Sequence, residues 1–186
     1  MNQIASAAQL RMSFLRWALF IVPAIMLLGF ISGTISGSTE ENRWYGELIK
    51  PAIQPPGWVF GVVWPILYFM MACAFAMVLH ARGANARGLA IGLFVAQLIA
   101  NLAWSPIFFG RHEVTTAFYL LLVIFALAFA TTMVFGRIRK AAAWLLVPYL
   151  MWLSFASILA FQIDQLNPNA EALYVPSAST QIESSN

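Results

Sequence analysis

Five long apolar runs, separated mostly by short polar links, constrain this chain more than any other feature of its sequence. Each run has about the 20 residues that an α-helix needs to cross the roughly 30 Å hydrocarbon core of a bilayer. Only 9% of the 186 residues are charged and 61% are hydrophobic, whereas a soluble domain carries about 25% charged residues. A water-soluble domain of this size could not bury so much apolar surface. The sequence therefore predicts an all-α, integral membrane bundle of five transmembrane helices.

The predicted helices are joined by links of unequal length. They span residues 17–35, 58–80, 88–109, 114–135 and 142–163. The last three links are short, which makes the helices they join antiparallel neighbours. The transmembrane domain is thus 17–166, with a polar segment 1–16 before it and a polar tail 167–186 that we expect to be disordered. The first loop, 36–57, is rich in proline, which excludes regular helix and stiffens the backbone, so we expect an ordered loop.

The first apolar run could also be the core of a cleaved signal peptide, because a positive start precedes it. We interpret it as a retained helix, since the run is long for a signal core and Ser36-Gly37-Ser38 is a weak cleavage site.

Charged residues divide between the two ends of the predicted bundle. Seven of the ten basic residues share the side of the N-terminus, namely Arg11, Arg16, Arg82, Arg87, Arg137, Arg139 and Lys140. All seven acidic residues lie on the other side. Because cytoplasmic links are enriched in Lys and Arg, we predict a cytoplasmic N-terminus and an outside C-terminus for a bacterial inner membrane. The dispersed net charge of +3 argues against a nucleic-acid partner.

The third predicted helix has two different faces. One is a ridge of small residues that would let another helix approach closely, formed by Gly88, Gly92, Ala96 and Ala100. This ridge packs either within the bundle or between the subunits of a homodimer. The opposite face carries Gln97, Asn101, Trp104 and Phe108. Gln97 and Asn101 lie at mid-membrane depth, where exposing a polar group to lipid costs free energy, so such groups face the bundle interior. They either fix helix packing or bind a ligand.

Aromatic residues make up 15% of the chain and fall into two groups. Those near helix ends are typical of an aromatic belt at the membrane interface, and they are Trp17, Trp44, Trp58 and Trp144. Deeper in the bundle, Trp64 and Tyr68 are one turn apart on the second helix. Tyr149, Trp152 and Ala156 share a face of the fifth helix. Such rings suit a rigid, apolar, aromatic ligand, although core packing is the alternative.

Motifs for catalysis or metal binding are absent from the sequence. There is no Ser-His-Asp set, phosphate loop or zinc-protease motif, and His80 and His112 lack the spacing of a metal pair. We therefore expect no metal site. The spans also contain no acid pair of the kind that proton-coupled transporters use.

Three sequence blocks occur in a fixed order on the second, third and fifth predicted helices. They read WYxxLxKPxxxPPxWVFGxxWxxLY at 44–68, QLxxNxxWSPIFFG at 97–110 and PYLxWxxFA at 148–156. These blocks resemble the tryptophan-rich sensory protein (TspO/MBR) family, whose mammalian members are the translocator proteins, or peripheral-type benzodiazepine receptors. The resemblance covers about residues 20–166.

The resemblance implies a five-helix bundle, usually a homodimer, with a cavity that opens towards the first loop. Family members bind tetrapyrroles such as protoporphyrin IX, synthetic isoquinoline and benzodiazepine ligands and, in mammals, cholesterol. It therefore implies a membrane protein that senses or transports hydrophobic aromatic molecules, with a porphyrin (protoporphyrin IX or haem-like) as ligand and no tightly bound cofactor. One alternative is an enzyme that degrades porphyrin with light and oxygen, using Trp64 and Trp152. Another is a regulatory or structural protein whose cavity holds membrane lipid.

The resemblance also assigns residues to the ligand site. Its contacts fall on Tyr45, Trp64, Asn101, Trp104, Trp152 and Ala156. With the neighbouring interior residues, the predicted ligand-binding set is Tyr45, Phe60, Trp64, Tyr68, Gln97, Asn101, Trp104, Phe108, Tyr149, Trp152 and Ala156. Ala52 and Ile53 stand where the family usually has tryptophan before the paired prolines, which implies weaker porphyrin stacking at the first loop.

Overall fold

A computed structural model describes residues 7–38 and 42–173, and most of them are helical. The α-helices are α1 (Ala7–Ile35), α2 (Arg43–Glu47), α3 (Gly57–His80), α4 (Arg87–Ser105), α5 (Val114–Ile138) and α6 (Lys140–Leu166). Five of them, all except α2, are long and apolar enough to cross a membrane. The described ranges contain no β-strand. The predicted class, an all-α membrane bundle of five spans, is confirmed.

Two boundaries differ from the predicted ones. Helix α1 begins at Ala7 rather than at residue 17, although its apolar span begins only at Phe14. Helix α4 ends at Ser105, and the chain continues as a π-helical turn, Pro106–Gly110. Proline has no backbone N–H to donate to the preceding turn, so a change of helix type at Pro106 is physically reasonable.

The start of the predicted disordered tail is ordered, so that part of the prediction is wrong. Residues Ala170–Ala172 form a 3₁₀ turn, and the indole Nε1 of Trp44 donates a hydrogen bond to the carbonyl of Ala170 at 3.0 Å. Polarity alone predicted disorder, but contacts with the first loop fix this segment. The rest of the predicted tail, 174–186, lies outside the described residues.

The spanning helices form a ring in the order α1, α3, α6, α5, α4. Each helix packs on the next, and α4 closes the ring through smaller contacts with α1 and α3. One residue, the extended Arg139, separates α5 from α6. Stacked rings of Phe75 and Phe94, 4.1 Å apart, lie in the core at the end of the bundle that contains the α3–α4 link.

Helix α1 approaches α3 closely at one glycine. A Cβ atom added to Gly29 would lie 2.7 Å from Cδ2 and 2.8 Å from Cζ of Tyr68. Only glycine leaves room for the phenol ring there, because such separations are far shorter than van der Waals contact. On the next turn, Ser32 Oγ donates to the carbonyl of Leu102 at 2.6 Å, which ties α1 to α4.

Candidate functional site

A chain of polar side chains crosses the interior of the bundle at mid-membrane depth. Tyr68 donates its hydroxyl proton to Asn101 Oδ1 at 2.7 Å, and Asn101 Nδ2 donates to the hydroxyl of Tyr149 at 2.9 Å. Tyr149 in turn donates to Gln97 Oε1 at 3.0 Å, and Gln97 Nε2 reaches the Met71 sulfur at 4.0 Å. The chain joins α3, α4 and α6. In this arrangement the predicted polar site residues satisfy one another and fix helix packing, which was one of the two interpretations of Gln97 and Asn101.

Five aromatic residues of α3 and α6 form two groups of neighbouring rings, which we together call the aromatic wall. Its members are Phe60, Trp64, Tyr68, Trp152 and Phe155. Trp152 meets Phe60 edge-on at 5.6 Å and Phe155 at 5.5 Å, and Trp64 lies 5.6 Å from Tyr68. Ala156, one turn beyond Trp152, packs partly buried against the main core. Edge-on and tilted ring pairs at these separations are favourable and position the rings rigidly.

The indole N–H of Trp152 is buried and has no hydrogen-bond partner among the described residues. The amide oxygen Oε1 of Gln54, in the first loop, is also buried and unpartnered there. An unpaired buried polar group costs about 1–3 kcal/mol, so native structures rarely retain one without a reason. One donor in the wall and one acceptor in the loop are therefore available to a bound molecule.

The first loop lies over one end of the bundle as a lid, which we define as residues 42–56. Trp44 is only 3% exposed, stacks on His112 at 4.3 Å and meets Phe108 edge-on at 5.5 Å. We predicted that Trp44 belongs to an interfacial belt, and its burial shows that this was wrong. Trp58 and Trp144, by contrast, are exposed. A tryptophan near a helix end can thus fasten a loop instead of facing lipid.

Tyr45 of the lid meets two predicted ligand residues that lie beneath it. Tyr45 lies 6.0 Å from Phe108, and Trp104 stacks on Phe108 at 5.0 Å. Trp104 also donates from Nε1 to the carbonyl of Ala117 at 3.0 Å, so its polar atom is already used in packing. Phe108 belongs to a second hydrophobic cluster, against which Tyr45 and Trp104 pack, and Trp104 also contacts the main core.

Hydrogen bonds give the lid a fixed shape around Tyr45. Asn42 caps α2 by accepting from the Tyr45 N–H at 2.9 Å, and Lys50 Nζ donates to the Tyr45 carbonyl at 2.8 Å. Gln54 Nε2 donates to the Tyr45 hydroxyl at 2.9 Å. Burial raises the pKa of the Tyr45 phenol above its ordinary value, and the hydrogen bond from Gln54 offsets part of that rise.

Sequence reasoning missed a latch between the lid and the end of α6. Asn167 Oδ1 accepts from the Ile49 N–H at 2.8 Å, and Asn167 Nδ2 donates to the Ile49 carbonyl at 2.9 Å. Nδ2 also donates to the carbonyl of Ile163 at 2.8 Å. The Asn-Pro pair after α6 is a signal for a helix end. It could have drawn attention to Asn167, but nothing in it identifies Ile49.

A groove of about 370 Å³ lies between α3 and α6. It is lined by Val63, Ile66, Leu67, Met70, Pro148, Met151 and Trp152. Ile66 and Met151 are exposed on the outer surface of the bundle, so the groove opens sideways, towards where the hydrocarbon core of a membrane would lie. Trp152 belongs both to this groove and to the aromatic wall.

The small-residue ridge of α4 faces outward. Gly88, Gly92 and Ala96 are exposed, and a Cβ atom added to either glycine would meet nothing within 4 Å. Gly88, Gly92 and Ala96 are therefore not used for helix packing within this chain, whereas Ala100, at the end of the ridge, packs partly buried against the main core. Among the described residues, no group of three His, Cys, Asp or Glu side chains is placed to hold a metal ion.

Five spanning helices, an aromatic wall and a fastened lid define a small multi-pass membrane protein with an aromatic interior. A sequence profile of the TspO/MBR family matches residues 20–166. The chain is 39% identical to the tryptophan-rich protein TspO of Chlorobaculum tepidum, over 77% of this chain and 90% of that protein. It is 35% identical to the tryptophan-rich sensory protein of Cereibacter sphaeroides, over 82% and 94% of the two chains. It is 38% identical to the human translocator protein, over 72% and 80%.

The chain belongs to the TspO/MBR family. The predicted resemblance is confirmed, and so is an integral, multi-pass membrane protein.

Proposed function

We propose that this protein binds hydrophobic aromatic ligands, and tetrapyrroles such as protoporphyrin IX in particular, between the aromatic wall and the lid. The observation that carries the proposal is the position of Trp152. Its ring is set in the wall by Phe60 and Phe155, while its buried N–H has no hydrogen-bond partner within the described ranges. Relatives named translocator protein and sensory protein are consistent with a role in moving or sensing a ligand.

The chemistry of the ligand complements the unpaired groups of the site. A tetrapyrrole is a large flat ring system that stacks on or meets the edges of indole and phenyl rings. It carries acceptors that could take the Trp152 N–H. Pairing a buried orphan group recovers about 1–3 kcal/mol. Aromatic side chains with a small number of polar groups are the usual composition of small-molecule sites.

The decisive experiment is a titration of the purified protein with protoporphyrin IX, followed by the absorbance and emission of the porphyrin. Trp152→Ala should weaken affinity about tenfold or more, which corresponds to about 1.4 kcal/mol. Trp144→Ala is the matched control, because it removes an indole from the same helix at a position that is 71% exposed. Equal affinities of the two variants would show that Trp152 does not contact the ligand.

We further propose that two chains associate through the outward ridge of α4. The ridge offers a surface where a second helix could approach closely, as small residues allow in membranes. We also propose a cytoplasmic N-terminus, because Arg82, Arg137 and Lys140 are exposed at the ends of helices on that side. A C-terminal reporter that is active only outside the cytoplasm tests the orientation.

A further inference from the structure

The groove between α3 and α6 is a recess in the outer surface, and its walls are apolar side chains and one indole. Ile66 is 53% exposed and Met151 is 69% exposed, and they flank the recess from opposite helices. Its volume, about 370 Å³, lies within the range of roughly 300–1,000 Å³ that small-molecule sites occupy.

The recess and the aromatic wall share one residue. Trp152 lines the groove, and its ring also touches Phe60 and Phe155 in the wall. A flat indole suits a flat occupant better than a flexible acyl chain. Helix α6 packs less extensively against α3 than against α5, so the α3–α6 interface is the looser of the two. Pro148 removes a backbone hydrogen bond from α6 at the groove itself.

The other route to the ligand site, through the lid, is closed by several contacts. Trp44 is bonded to Ala170, Asn167 pairs twice with Ile49, and Lys50 donates to the Tyr45 carbonyl. A ligand that enters from the aqueous side would have to break several of these contacts. A ligand dissolved in the bilayer would instead meet an open recess.

We propose that the α3–α6 groove is the lateral entrance to the ligand site, that its transient occupant is a flat tetrapyrrole dissolved in the bilayer, and that the Trp152 ring is the barrier this molecule passes. This inference rests on the proposed function. It predicts that the membrane is the reservoir from which the protein takes its ligand. Filling the groove should then change the rates of binding and release without changing the equilibrium affinity, because the barrier is altered while the end states are not.

The test measures association and dissociation rates of protoporphyrin IX with the protein in lipid nanodiscs, after mixing with porphyrin-loaded vesicles. Ile66→Trp fills the groove from α3, and Met151→Trp fills it from α6. Their matched controls are Phe69→Trp and Ile158→Trp, at exposed positions of the same helices outside the groove lining. Both rate constants should fall about fivefold or more in the groove variants, with the equilibrium constant within about twofold of wild type.

Each other result has a distinct meaning. Saturable binding with rates that neither groove variant alters would overturn the lateral entrance while leaving the proposed function intact. Rates that respond to Asn167→Ala but not to the groove variants would place the entrance at the lid. If the groove variants leave the rates unchanged but lose a lipid that co-purifies with wild type, the groove holds an acyl chain. Absence of saturable binding in wild type would instead refute the proposed function.

Discussion

Asn101 Nδ2 donates a hydrogen bond to the hydroxyl of Tyr149 at 2.9 Å, and this bond joins α4 to α6 inside the bundle. Each partner is bonded further, to Tyr68 on one side and to Gln97 on the other. Three helices therefore share one polar chain, in a setting where lipid supplies no alternative hydrogen-bond partners. The contribution of this chain to stability can be measured directly.

Tyr149→Phe should destabilise the protein by about 1–2 kcal/mol, because it leaves groups of Asn101 and Gln97 buried without their partner. Thermal unfolding in detergent, followed by circular dichroism, gives the change. Tyr119→Phe is the control, since Tyr119 is exposed on α5. If both variants unfold at the wild-type temperature, the polar chain is not needed for stability.

Gly29→Ala should destabilise the contact between α1 and α3 by about 1–3 kcal/mol, because the new methyl group overlaps the Tyr68 ring. Gly61→Ala, where an added Cβ meets nothing within 4 Å, should be neutral or slightly stabilising, as Ala usually is in a helix. The same unfolding assay compares them. Equal stability of the two variants would mean that α1 and α3 accommodate the added methyl group without a loss in the free energy of unfolding.

Asn167→Ala should release the lid, because it removes both hydrogen bonds to Ile49. At about 1 kcal/mol for each bond, amide exchange across the lid should accelerate roughly 10- to 30-fold. Hydrogen–deuterium exchange by mass spectrometry measures this. Asn169→Ala, at an exposed neighbouring position, should leave the exchange of the lid peptide as in wild type. Unchanged exchange in Asn167→Ala would show that the latch does not hold the lid.

Ala96→Phe should convert the proposed dimer to monomer in mild detergent, because a bulky ring prevents close approach at the α4 ridge. Ala126→Phe introduces the same ring at an exposed position of α5 and should leave the oligomer intact. Light scattering coupled to size exclusion distinguishes the two states. A dimer that survives Ala96→Phe would place the interface on another face.

Stability should depend on Tyr45 at alkaline pH. Burial raises the pKa of its phenol above the ordinary value of 10.0, so above that pH the unfolded chain loses a proton that the folded chain keeps. The contribution of the Tyr45 phenol to the free energy of unfolding is fully present below pH 10. It is lost as the pH rises through the folded-state pKa. The free energy of unfolding should therefore fall more steeply above pH 10 in wild type than in Tyr45→Phe. Parallel curves would indicate a solvated phenol.

Helical periodicity predicted which residues face the interior, but it could not predict their partners. Gln97 and Asn101 share a face because they are four residues apart. Exposing their amide groups to lipid would cost free energy, so we predicted that this face points into the bundle. Tyr149 lies 48 residues from Asn101, and only the order of helices around the ring brings the two together. A single sequence contains no direct signal for that order.

Two other features depended on information that no local pattern carries. The ridge from Gly88 to Ala100 predicted close packing, but its assignment to the inside or the outside required the positions of the other helices. The latch joins Asn167 to the backbone of Ile49, 118 residues earlier. Every residue has the same backbone donor and acceptor, so the sequence could not single out Ile49.

The single residue between α5 and α6 restricts the mechanics of the bundle. With Arg139 as the whole connection, neither helix can slide along the membrane normal without dragging the other. The two helices therefore behave as one rigid pair, and the most extensive helix–helix contact in the structure stabilises this pair along its length. Any opening of the bundle must therefore occur at the other helix–helix seams, with the α5–α6 pair moving as a unit.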